Sequence, residues 1–117
     1  MKENNLILEK SKAFAVRSVN LYKYLTEQKH EAVLSKQLVR SGTSIGANVK
    51  EAIRGQSKAD FRSKMNIALK EASETEYWLE ILFETDYLSE TQFESMHKDT
   101  VELIKILISI VKSSEDT

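Results

Sequence analysis

The chain has 117 residues, of which 30% are charged, and it contains no cysteine, no proline and only three glycines. This length suits one domain with one modest core, the lack of cysteine excludes disulfides and thiolate metal sites, and the scarcity of helix breakers favours an all-α protein. The formal net charge is -1, yet residues 1–70 hold 14 Lys and Arg against 6 Asp and Glu, whereas residues 71–117 hold 3 against 12. No segment has the apolar length of a secretory signal or a membrane span, so we expect a cytoplasmic protein with no membrane partner.

Apolar side chains in the first half of the chain recur at the three- and four-residue spacing of one helix face. We predict a first helix over residues 4–28, with a core stripe of Phe14, Leu21 and Leu25. A second helix is predicted over residues 33–54, with its first turn placed between residues 31 and 35. The inward positions of this second helix are Leu34, Leu38, Ser41, Ile45, Asn48, Val49 and Ala52, and Gly55 follows as a C-cap.

Two capping boxes predict the starts of the third and fourth helices. Ser57 with Asp60 opens a helix over residues 58–85, and Ser89 with Gln92 opens one over residues 90–113. The predicted inward positions of the fourth helix are Met96, Thr100, Ile104, Leu107, Ile108 and Val111. Four amphipathic helices joined by short loops predict one domain, residues 1–117, folded as an antiparallel up-and-down four-helix bundle.

Gly42 and Gly46 lie in the segment RSGTSIGANVKEA, inside the second predicted helix, where each glycine costs about 1 kcal/mol relative to alanine. A phosphate-binding loop is one interpretation, but the spacing is G-x-x-x-G and the required Lys and Ser or Thr do not follow. We favour an unbroken helix in which the two glycines allow a close crossing. Folding the sequence about the second turn places them level with Ala68 and Ala72 of the third helix.

The third and fourth helices each carry apolar residues outside their predicted core positions. Together these residues form a larger apolar surface than soluble monomers usually expose, and two different patches suit a head-to-tail contact between subunits. We therefore predict a homo-oligomer. The predicted contact residues are Ile67, Trp78 and Ile81 on the third helix, and Leu103, Ile106 and Ile110 on the fourth.

The predicted topology brings Lys50, Arg54, Lys58 and Arg62 to one end of the bundle. Residues 71–99, with nine acidic residues against one basic residue, lie toward the other end. A basic pole can bind RNA phosphates. Two alternatives stay open, namely an ordinary solvated surface and charge pairing between subunits without any nucleic acid.

A metal enzyme is the interpretation from a different functional class. Glu27 with His30 and Glu94 with His97 both have the Glu-x-x-His spacing of di-iron bundles. However, His30 lies in or beside a loop and Glu94 in the first turn of a helix, whereas di-iron ligands project into the middle of a bundle. We expect no metal, no cofactor and no enzymatic activity, and a di-metal carboxylate enzyme stays a remote alternative.

The segments FAVRSVNLYKYL, QLVRSGTSIGANVKEA and SKADFRSKMNIALKEASETEYWLEIL resemble the small four-helix bundle proteins encoded in intervening sequences of 23S ribosomal RNA genes. The resemblance implies a bundle that assembles as a ring, a pentamer, with no established enzymatic activity, and the gene context implies RNA as a partner. A similar fold occurs in the accessory protein of diversity-generating retroelements, a basic pentameric ring that binds nucleic acid and reverse transcriptase. This chain is slightly acidic instead.

Overall fold

A computed structural model describes residues 2–115, apart from the side chain of Glu3, as four α-helices joined by short loops. The helices are α1 (Lys2–Gln28), α2 (Val33–Ile53), α3 (Lys58–Glu84) and α4 (Glu90–Glu115). All eight bounds lie within two residues of the predicted ones.

The helices form the predicted antiparallel up-and-down bundle, with principal extents of 46 × 21 × 19 Å. Each helix packs on the next one along the chain, and α4 closes the bundle against α1 through a less extensive contact. Ion pairs between neighbouring helices have the antiparallel register, since Glu51 on α2 meets Lys64 on α3 at 3.2 Å and Lys10 on α1 meets Glu102 on α4 at 3.1 Å. The predicted fold class is confirmed.

The predicted caps of α3 and α4 are present. Ser57 Oγ accepts a hydrogen bond from the Asp60 backbone N–H at 3.0 Å. At the start of α4 the bonds are reciprocal, because Ser89 Oγ accepts from the Gln92 N–H at 3.1 Å and Gln92 Oε1 accepts from the Ser89 N–H at 2.8 Å. These bonds satisfy N–H groups that have no partner within the helix.

The start of α2 depends on Glu31, whose role was not predicted from the sequence. Its carboxylate accepts hydrogen bonds from the backbone N–H groups of Val33, Leu34 and Ser35 at 3.0, 2.9 and 2.7 Å. The preceding residue, His30, has a φ of 55°, which turns the chain sharply so that Glu31 lies under the helix and is only 7% exposed. A carboxylate at this position also interacts favourably with the positive end of the helix dipole.

The inward face of α4 differs from the predicted one. Leu103 and Ile110, which we predicted to point outward, are 2% and 4% exposed, whereas Ile108, which we predicted in the core, is 49% exposed. Apolar residues occupy most positions of this segment, so its helical period fits more than one face. Packing against the neighbouring helices selects the face that carries Leu103, Leu107 and Ile110.

The glycine prediction is right about the helix and wrong about the partner. Helix α2 continues unbroken through Gly42 and Gly46, but both glycines face α1 and not α3. A Cβ atom built on Gly42 would lie 2.3 Å from Ser18 Oγ, and one built on Gly46 would lie 3.2 Å from the Ser11 carbonyl oxygen.

The reason for this error is geometric. Folding the sequence about a turn fixes the level of a residue along the bundle axis, but it does not say which neighbouring helix the residue faces. Ala68 and Ala72 are fully buried in the core cluster. A buried polar contact between α2 and α3 is made by Thr75, whose hydroxyl donates to Ser41 Oγ at 2.8 Å.

Candidate nucleic-acid interface

One end of the bundle is formed by the start of α1, the turn between α2 and α3, and the last turns of α4. Lys50, Arg54 and Lys58 are exposed there, and within residues 2–115 none of the three forms an ion pair. Arg62 is half-buried, and its Nη1 donates to the Ser114 carbonyl oxygen at 3.4 Å. These four predicted residues are called the basic end below.

Two of the four residues share a charged groove of about 360 Å³ on the side of α2 and α3. Lys50 and Arg54 line it together with Lys64, Glu51 and Asp60. The ion pair between Glu51 and Lys64 neutralises one charge of each sign. Two cations, Lys50 and Arg54, and one carboxylate, Asp60, remain in the groove, so an excess cation is left with which an anion from solution can pair.

An apolar cavity of about 540 Å³ lies on the other side of the α2–α3 turn. Its walls include Ile53, Phe61 and Ile110, and Lys58 also lines it. The turn residues Gly55 and Gln56 line both the cavity and the charged groove, so the two spaces are adjacent. No sequence motif predicts this cavity, because its walls come from all four helices.

Four acidic residues of α3 and α4 pair with cations of α1 and α2. Arg17 Nη1 lies 2.6 Å from Asp99 Oδ2 and also donates to the Ser95 carbonyl oxygen. Arg40 pairs with both Glu71 and Glu74. Lys10, Arg17 and Arg40 along the sides of the bundle are therefore paired within the molecule. Lys50, Arg54 and Lys58 form no ion pair within residues 2–115, and they share this with other exposed lysines such as Lys23, Lys29 and Lys36.

The predicted outward stripe of α3 contains a polar cluster and a tryptophan, Trp78, that also packs against the core. Trp78 is half-buried, and its Nε1 donates to Glu74 Oε2 at 2.9 Å. This bond, followed by the one from Arg40, holds the pKa of Glu74 below its ordinary value, while the hydrogen bond to Glu74 raises the pKa of Arg40. The rings of Tyr77 and Trp78 meet edge to face, with centroids 5.0 Å apart.

The rest of the predicted subunit contact is only partly exposed. Ile67 is 38% exposed, and Ile81 and Ile106 are half-buried. Ile110 is a core residue and a wall of the apolar cavity, so its predicted place on an outward stripe is wrong. Among the predicted contact residues, Ile67 on α3 is therefore the most exposed.

The two Glu-x-x-His pairs do not converge on a common site. Glu27 and His30 are exposed, whereas His97 Nε2 lies 2.8 Å from Glu76 Oε2 and its ring stacks on Phe93 with centroids 4.9 Å apart. Within residues 2–115 there is no group of three or more His, Asp or Glu side chains that could hold a metal ion. None of the four helices, as described over residues 2–115, combines the length and the hydropathy that a membrane span requires.

Comparison with known proteins places the chain among its relatives. The model of the family described as 23S rRNA-intervening sequence protein matches residues 3–109. The chain belongs to this family. The match confirms the resemblance seen in the first three helices and extends it into α4.

A solved structure of a member of the S23 ribosomal protein family is similar to the chain along almost its whole length. That protein, from Bacteroides thetaiotaomicron VPI-5482 and described as having unknown function, is 57% identical, with a TM-score of 0.93. The match covers 94% of this chain and 98% of that one. Curated proteins gave no match.

Proposed function

We propose that this member of the 23S rRNA-intervening sequence protein family is a non-enzymatic, cytoplasmic protein that binds RNA and assembles with copies of itself into a ring, a pentamer. The observation that carries the RNA proposal is the exposure of Lys50, Arg54 and Lys58 at one end of the bundle without ion-pair partners in the described chain. Each Lys or Arg that contacts a phosphate releases condensed counterions, which favours binding.

Assembly strengthens binding by such a small site. A basic end with four cations gives only weak and salt-dependent affinity when it acts alone. In a ring, symmetry repeats the basic end in every subunit, and one RNA strand that reaches several of them gains affinity through effective concentration. A ring of slightly acidic subunits can therefore bind RNA despite the net charge of -1 per chain.

The subunit contact in this proposal is the outward stripe of α3, centred on Trp78. Large aromatic side chains with one polar atom are common anchors of protein interfaces. The bond to Glu74 and the contacts of Arg40 with Glu71 and Glu74 hold this surface in one conformation before subunits meet. Preorganisation lowers the entropy cost of association.

RNA binding is tested by reversing the charges of the basic end. The triple variant Lys50→Glu, Arg54→Glu, Lys58→Glu should lose binding to a labelled single-stranded RNA at low salt, measured by fluorescence anisotropy. All three side chains are exposed, so the helix content measured by circular dichroism should not change.

The matched control reverses Lys23, Lys29 and Lys36, which are exposed toward the opposite end of the bundle. It makes the same change in net charge and should keep most of the RNA affinity. Equal loss in both variants, or binding that survives reversal of the basic end, would contradict the proposed site. Absence of binding by the unmodified protein at low salt would leave a purely structural oligomer as the better account.

Assembly is tested by light scattering. The unmodified protein should show a discrete species near five times 13.4 kDa, and Trp78→Glu should dissociate it. Val33→Glu is the matched control, because Val33 is 77% exposed and lies on a different helix. A monomer at micromolar concentration, or an oligomer that Trp78→Glu leaves intact, would refute this interface.

A further inference from the structure

The apolar cavity at the basic end has the size of a ligand site. Its volume of about 540 Å³ lies inside the range of roughly 300–1,000 Å³ that is usual for small-molecule pockets. Phe61 presents an aromatic ring to it, and Ile53 and Ile110 add apolar walls from two other helices. A flat, mostly apolar ring system would fit such a space.

Asn4, on the first turn of α1, gives a second and independent indication of a ligand. Asn4 lines the cavity, and its side-chain Oδ1 is buried with no hydrogen-bond partner in the described part of the chain. A buried acceptor without a partner is unfavourable, so native structures seldom leave one. Because Oδ1 itself has almost no accessible surface, a donor on a molecule in the cavity would reach it after the Asn4 side chain rotates.

The surroundings of the cavity favour a nucleotide over a purely apolar ligand. Lys58 lines the cavity itself, and Arg54 and Lys50 line the charged groove on the other side of Gly55 and Gln56. In a single nucleic-acid strand, each unstacked base is a flat ring with N–H donors that is flanked by two phosphates. The apolar cavity and the adjacent cations match these two parts of one strand.

We propose that the cavity receives one unpaired base of a single-stranded RNA. This inference rests on the proposed function and specifies its ligand. The base stacks against Phe61 and donates a hydrogen bond to Asn4 Oδ1, while Lys58 and Arg54 contact the phosphates on either side. Because every RNA base has an N–H donor, the site selects unpaired strands over duplexes and does not select one sequence.

The test compares a labelled single-stranded RNA of about a dozen nucleotides, the same strand with abasic sites, and the duplex. Aromatic stacking of one base changes affinity by about tenfold or more, so the unmodified protein should bind the intact strand at least about tenfold tighter than the abasic strand. Asn4→Leu and Phe61→Leu should each reduce this difference and leave the affinity for the abasic strand unchanged. Asn4→Leu replaces an unsatisfied polar group by an apolar one, so the fold should tolerate it.

The outcomes separate this inference from the proposed function. The base cavity is refuted if both variants keep the full preference for the intact strand. It is also refuted, while RNA binding stands, if the protein binds intact, abasic and duplex RNA equally and charge reversal of the basic end abolishes this binding. A mononucleotide bound as tightly as the strand would also overturn the inference, because it would make the flanking phosphates unnecessary. If no RNA binds at low salt, both proposals fail.

Discussion

Gly42→Ala should destabilise the bundle, because the added methyl group has no room between α1 and α2. Its Cβ would lie 2.3 Å from Ser18 Oγ and 2.8 Å from Ser18 Cβ. Ser18 is fully buried and its hydroxyl donates to the Phe14 carbonyl oxygen at 2.9 Å, and its Cβ cannot move unless the helix moves. Overpacking costs about 1–3 kcal/mol, and we take the upper half of this range because one of the two close atoms belongs to the rigid part of the side chain.

Alanine also gains about 1 kcal/mol over glycine in a helix, so the net loss should be about 1–2 kcal/mol. Urea unfolding followed by circular dichroism, at one fixed protein concentration, measures it. Gly46→Ala is the milder comparison, because its Cβ would lie 3.2–3.3 Å from its Ser11 neighbours. We expect Gly46→Ala to change stability by less than about 1 kcal/mol, since the smaller strain and the higher helix propensity oppose each other.

The double variant Gly42→Ala, Ser18→Gly tests the assigned partner. Replacing Ser18 by glycine removes both atoms that the new methyl group would meet, so the double variant should be more stable than the two single changes predict, by at least about 1 kcal/mol. Strict additivity, or a Gly42→Ala variant as stable as the unmodified protein, would refute the close crossing of α1 and α2.

Two further predictions concern single carboxylates. Glu31→Gln should lower the free energy of unfolding by about 1 kcal/mol, because the charge and one of the two acceptor oxygens at the start of α2 are lost. Urea unfolding measures this loss. As a control, Glu27→Gln at an exposed position should change the free energy of unfolding by less than about 0.5 kcal/mol. The bonds from Trp78 and Arg40 lower the pKa of Glu74 in the folded protein. The stability that these bonds give is therefore fully present above the pKa of Glu74 in the unfolded chain, about 4.3, and it is lost as pH falls through the lower folded pKa. Glu74→Gln should therefore flatten the acid side of a stability-against-pH profile, and an unchanged slope there would contradict this cause.

Local signals in the sequence were sufficient for the helices. Ser57 and Ser89, with their partners three residues later, mark two helix starts through contacts between neighbours in the chain, and the 3.6-residue period marks the rest. Glu31 escaped notice because its three bonds depend on the left-handed backbone at His30, and nothing in the local sequence requires that conformation.

Contacts between helices were predicted less well. The period of α4 is compatible with either Ile108 or Ile110 in the core, and only packing decides between them. In the same way, the turn between α2 and α3 sets the level of Gly42 but not its neighbour. The sequence pattern of one helix therefore does not determine which residues of a neighbouring helix it contacts.

Of the candidate site, the cations were predictable from the sequence and the cavity was not. Lys50, Arg54 and Lys58 are close in sequence to one turn, so the topology was enough to bring them to one end. The apolar cavity beside them joins Asn4 at the start of the chain with Ile110 near its end. No motif links residues so far apart, and the cavity is visible only once the four helices are assembled.

The salt dependence of RNA affinity tests the central proposal most directly. The quantity to measure is the slope of the logarithm of the association constant against the logarithm of salt concentration, for a short single strand that reaches only one subunit. Each phosphate contact with a single strand contributes about -0.7 to this slope. If each of the four residues of the basic end contacts one phosphate, the slope should be about -2.8. Lys58→Gln should make the slope less steep by about 0.7. A slope near zero, or one that Lys58→Gln leaves unchanged, would contradict binding of RNA phosphates by the basic end.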